Sequence, residues 1–139
     1  VRGLHYHDEH SIDKLGEEGQ FVVTGDLNTM GLTFPRPAKK NLVVAAEREI
    51  AALGEAAASA NMTLLSKEHG ATFNNGTLES DLDHVLVSQG LTVKAQGKRP
   101  DGSAYQVGVR GWQQLSGPAR AEFIAKVSDH CALVFEVDF

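Results

Sequence analysis

The sequence predicts an α+β fold, with a mainly antiparallel or mixed sheet and helices on one face. Three observations carry this expectation. Short β-branched apolar runs outnumber helical stripes. One long segment repeats apolar residues at spacings of three and four, as an amphipathic helix does. Asp101-Gly102 lies between strand-like segments and reads as a hairpin turn.

The elements follow in order. Leu4-His5 reads as the end of a short strand. Ser11 can cap a brief helical turn through Leu15, which Gly16 and Gly19 break. Phe21 to Thr24 is a strand. Thr29 to Pro37 is a loop, because Pro35 and Pro37 exclude regular structure. Val43, Ala46, Ile50, Leu53 and Ala57 form one apolar helical stripe, read as core packing against a sheet. Met62 to Leu65, His84 to Ser88, Val93 to Gln96 and Tyr105 to Val109 are strands. Ser116 with Pro118 starts a helix whose Phe123 and Ile124 face inward. Ala132 to Val137 is the last strand. Repeats, low-complexity tracts and linkers are not evident, so residues 1–139 read as a single domain.

A hydrophobic content of 42% with 22% charged residues suits a globular chain, and no apolar run is long enough to span a membrane. The formal net charge of -5 argues against tight non-specific binding of a polyphosphate backbone by this chain alone. A bound cation would change that local balance. Lys94, Lys98, Arg99 and Arg110 are the densest basic group, read as a solvated hairpin or as a loop touching substrate phosphates. The single Cys131 excludes an internal disulfide and reads as buried core.

Three segments concentrate chemistry at strand ends. Phe21-Val22-Val23-Thr24 ends in Gly25-Asp26-Leu27-Asn28, which puts a carboxylate and a carboxamide two residues apart on extended backbone. The pair suits a hard cation and a phosphoryl oxygen; it also suits an Asx-turn that ends the strand. Ser80-Asp81-Leu82-Asp83-His84-Val85-Leu86-Val87-Ser88 leads a carboxylate into an apolar run. Val127-Ser128-Asp129-His130-Cys131-Ala132-Leu133-Val134-Phe135 places Asp-His before another. No Gly-x-Ser-x-Gly elbow is present, so Ser128 reads as a turn cap rather than a nucleophile.

In this order the three motifs, with the turn Ala71-Thr72-Phe73-Asn74-Asn75-Gly76, resemble the endonuclease/exonuclease/phosphatase superfamily, the DNase I-like fold. The resemblance covers residues from about 20 to the end. It implies half of a four-layer αββα sandwich and a divalent-metal-dependent phosphoesterase, using metal-assisted in-line attack of water. Asp26 would orient or deprotonate the water. Asn28 would bond the phosphate or the nucleophile. Asp129 would approach Mg²⁺ or Mn²⁺, with Asp26 as the second carboxylate expected at the metal. His130 would bond the scissile phosphate, and Asp83 would fix the His130 tautomer and favour the imidazolium. His84 is taken as structural.

His5 is a further candidate by position, since the family often carries a His on the strand before Gly-Asp-x-Asn. A flexible His-rich terminus (His5, His7, His10) reads equally well, and a zinc site lacks Cys partners or a His-Glu-x-x-His helix. An early Asn and a metal-binding Glu belong to the family's first half. Only about twenty residues, starting at Val1, precede Gly25-Asp26. The expectation is therefore a C-terminal half of a longer domain, with an apolar sheet face that pairs in a homodimer or with the other half. The alternative function is a non-catalytic half-domain acting as an assembly or binding module. The substrate class stays open among DNA, RNA, inositol phosphates, phospholipid head groups and nucleotide-like diesters.

Overall fold

The computed structural model describes residues 19–31 and 39–138. The expected Leu4-His5 strand and the turn at Ser11–Leu15 lie outside the described residues. Among those described, the fold is α+β, with two helices and several small antiparallel sheets. The expected secondary-structure types hold, but the sheet is subdivided.

The largest sheet has three strands, β1 (Val22–Asp26), β5 (Asp83–Ser88) and β2 (Met62–Leu64), in the order β1-β5-β2. The β1–β5 register pairs Val22 with Val87 and Asp26 with Asp83. Two carboxylates therefore meet at one sheet end. Every residue of β5 is buried, as expected for a central strand covered on both faces. Within this sheet the apolar exposure sits on β1, where Val22 is 38% and Val23 is 40% exposed. The apolar sheet face expected from the sequence is represented among the described residues of this sheet by these two valines.

Helix α1 (Lys39–Ser59) lies against β2. Ala46, Ile50 and Leu53 are half-buried and Ala57 is buried, so four residues of the expected stripe face inward. The loop after β1 docks tightly on this helix. Gly31 has φ +64, and a Cβ there would lie 2.4 Å from the Ala46 nitrogen. Its N–H donates to Glu49 Oε2 at 2.6 Å. Only glycine fits both the left-handed backbone and the close approach.

Strands β3 (Phe73–Asn74) and β4 (Glu79–Ser80) form a hairpin. Asn75 Oδ1 accepts from the Thr77 and Leu78 N–H groups in its turn, where Gly76 has φ +89. The Asp101-Gly102 hairpin is present between β7 (Gly97–Lys98) and β8 (Ala104–Tyr105). β6 (Thr92–Val93) is shorter than the expected Val93 to Gln96. The expected Tyr105 to Val109 strand divides into β8 and β9 (Gly108–Arg110), because the Gln106 and Val107 N–H groups both turn to the Ser66 carbonyl. The last strand divides into β10 (Ala132–Val134), paired with β9, and β11 (Val137–Asp138), paired with β6. One chain segment thus serves two partners and switches between them at Phe135–Glu136.

Two apolar clusters hold these pieces together. Leu65, Val85, Val87, Leu91 and Val107 form one; Val109, Trp112 and Cys131 form the other; Leu133 packs against both. Helix α2 (Gly117–Lys126) contributes Phe123 and Ile124 to the second cluster, in the inward orientation its sequence predicts. No helix among the described residues is long and apolar enough to cross a membrane.

Candidate active site

The end of β1 is an Asx-turn. Asp26 Oδ1 accepts the Asn28 N–H at 2.8 Å, and Asn28 takes the left-handed φ of +53. The structural reading of Gly-Asp-x-Asn is therefore observed, and it uses only one of the two carboxylate oxygens. Asp26 Oδ2 lies 4.0 Å from His130 Nε2. One oxygen shapes the turn while the other faces the imidazole.

His130 meets a second carboxylate through its other nitrogen. Its Nδ1 lies 2.8 Å from Asp83 Oδ2. An ionised carboxylate only accepts, so Nδ1 carries the proton and donates it to Asp83. Burial draws the imidazole pKa down, but the Asp83 hydrogen bond and the charges of Asp83, Asp129 and Asp26 outweigh it and raise the pKa above its ordinary value. The Phe73 ring sits 5.0 Å from the imidazole, centroid to centroid, and further fixes it.

The segment before β10 is held by its backbone. Asn74 N–H and Trp112 Nε1–H both donate to the Asp129 carbonyl, at 2.8 and 3.0 Å. Ser128 Oγ accepts the His130 N–H at 3.0 Å, the turn-capping role expected of it. The Asp129 carboxylate is exposed. Thr72, 0% exposed, joins the same elements from below. Its Oγ1 accepts the Leu82 and Asp83 N–H groups at 3.1 and 3.0 Å, and its carbonyl accepts the Cys131 N–H at 2.8 Å.

The structure thus brings Asp26, Asp83 and His130 together, with Asp129 adjacent in the chain and Asn28 exposed on the turn. His5 lies outside the described residues. Thr72 and Phe73 escaped sequence reasoning: both sit in the Ala71–Gly76 turn, where a buried Thr has no pattern to distinguish it. Among the described residues, no three His, Cys, Asp or Glu side chains form a metal-holding group. The carboxylates of Asp26 and Asp129 are hard oxygen donors that both act on the same imidazole.

An open groove of about 600 Å³ begins at Asp129 and runs between the β3–β4 hairpin and α2, past Asn74, Gly76, Thr77, Arg120 and Ile124. None of Asp26, Asp83 and His130 lines it. Of the basic group singled out in the sequence, Lys94 pairs with Glu136 and Asp138, Arg99 donates to the Lys67 carbonyl and Arg110 pairs with Glu68, while Lys98 is exposed on β7. Compared with protein-family models, curated proteins and solved structures, the chain matches none.

Proposed function

We propose that this chain carries the site of a phosphate-ester hydrolase of the endonuclease/exonuclease/phosphatase type. The observation that carries the reading is the imidazole of His130 set between two carboxylates, 2.8 Å from Asp83 and 4.0 Å from Asp26. Asp83 holds the ring with its proton on Nδ1 and favours the charged form. Nε2, on the Asp26 side of the ring, would donate a hydrogen bond from the imidazolium to a phosphoryl oxygen and offset the charge that builds there. Asp26 Oδ2 accepts a proton from water, and Asn28 on its fixed turn bonds the phosphate. Asp129 and Asp26 would hold Mg²⁺ or Mn²⁺, which supplies Lewis-acid neutralisation of the phosphate.

In this reading the fold is half of a DNase I-like sandwich. Its partners are the ester substrate and either a second copy or a complementary half-domain. The test is hydrolysis of bis(p-nitrophenyl) phosphate with and without Mg²⁺ or Mn²⁺, beside Asp129→Ala. Metal-dependent turnover that this change reduces about 10²-fold or more supports the reading. Folded protein whose rate does not exceed the uncatalysed one rules out a working site in this chain alone or as a dimer, and leaves a catalytic fragment that needs the complementary half-domain or an assembly or binding module.

A further inference from the structure

Behind the candidate site lies a buried polar chain that the proposed reaction does not use. His84, on β5, is 1% exposed, and Lys67 and Thr29 are also buried. Lys67 Nζ pairs with the Asp81 carboxylate, donates to the Asp83 carbonyl at 2.6 Å, and meets His84 Nδ1 at 3.3 Å. An ammonium has three protons and no lone pair, so all three of its donors are spent and His84 Nδ1 must accept. The His84 proton therefore sits on Nε2, which lies 2.7 Å from Thr29 Oγ1. The Thr29 hydroxyl in turn donates to the Asp81 carbonyl.

With Lys67 charged, as its contacts to the Asp81 carboxylate and the Asp83 carbonyl favour against the burial that lowers its pKa, every donor and acceptor in this chain has a consistent assignment. It requires a charged Lys67 and a neutral His84. Burial, with the Lys67 charge beside it, lowers the His84 pKa to about 4, which keeps the ring neutral near pH 7.

The two ends of the chain touch the candidate site. Thr29 directly follows Asn28, so its hydroxyl anchors the Asp26–Asn28 turn to the strand opposite. Lys67 holds the peptide of Asp83, whose carboxylate orients His130. We propose that Lys67, His84 and Thr29 act as a positioning relay, locking the Asp26–Asn28 turn and the Asp83 carboxylate in register around His130. The inference rests on the hydrolase reading for its effect on rate; its effect on geometry stands apart from that reading.

The experiment combines imidazole ¹H–¹⁵N correlation spectra with phosphodiester kinetics for Lys67→Met, Thr29→Val and Thr29→Ser. The wild-type protein should show His84 with its proton on Nε2 and a low-field His130 Nδ1 proton. Lys67→Met and Thr29→Val should each lose the single His84 tautomer and weaken the low-field signal. Their kcat should fall about tenfold or more with KM held within about twofold, while Thr29→Ser keeps wild-type behaviour. Folded Lys67→Met or Thr29→Val protein with both ring signals and kcat intact overturns the relay. If Lys67→Met does not fold, the near-isosteric Thr29→Val decides. If the wild-type protein has no hydrolytic rate, the hydrolase reading fails for this chain alone or as a dimer, and the ring signals alone decide whether the relay holds the Asp83–His130 pair.

Discussion

Asp26 divides its work between two oxygens, one shaping the turn and one facing His130. The structural and the chemical readings of Gly-Asp-x-Asn are therefore compatible in one residue. Asp83 is the residue on which the imidazole depends most directly. Asp83→Asn keeps the shape but loses the charge that favours the imidazolium; it should lower phosphodiester turnover by about 10²-fold or more with little change in melting temperature. Steady-state kinetics beside a thermal melt checks this. The convergence of Asp26, Asp83 and His130 was legible because each sits at the end of an apolar run: Gly-Asp-x-Asn, Leu-Asp-His and Ser-Asp-His all mark strand termini. Lys67 and Thr29 were not legible. A lone Lys before Glu68 and a Thr in a loop carry no periodic signal, and only the tertiary fold places them against His84.

At the scale of elements, short strands depend on side-chain hydrogen bonds that no ladder supplies. Thr72 is the clearest case, since its hydroxyl serves two buried N–H groups where β4 bends into β5. Thr72→Val should destabilise the protein by about 2–4 kcal/mol, because both donors lose their acceptor without water to replace it; Thr72→Ser should recover most of that loss. Urea unfolding of the three proteins measures the difference. Gly31→Ala should cost about 1–3 kcal/mol, since its Cβ would meet the α1 backbone at a left-handed φ. The long helix was legible from its stripe and β5 from its unbroken apolar run. The divisions of the late strands were not: Tyr105 to Val109 and Ala132 to Val137 are uniform in pattern, and they divide because the backbone changes hydrogen-bonding partner.

For the whole molecule, two histidines pull stability in opposite directions as pH changes. His84 binds its proton near pH 4 in the folded state and near 6.5 unfolded. Its contribution is full above about pH 6.5 and is lost as pH falls toward 4, by at most about 3 kcal/mol. His130 has a raised folded pKa, so its contribution is present below the unfolded value and is lost as pH rises through the folded one. Unfolding free energies across pH 4–7 should therefore fall more steeply toward acid in wild-type protein than in His84→Gln; parallel curves would contradict a neutral buried His84.

The proposed site sets the His130 imidazole between Asp26 and Asp83 to stabilise charge during phosphate-ester hydrolysis. It is tested most directly by the metal-supported turnover of bis(p-nitrophenyl) phosphate in wild-type and His130→Gln protein of equal melting temperature. A wild-type rate well above background, reduced about 10²-fold or more by the substitution, is the predicted result. Equal rates in the two proteins would contradict it.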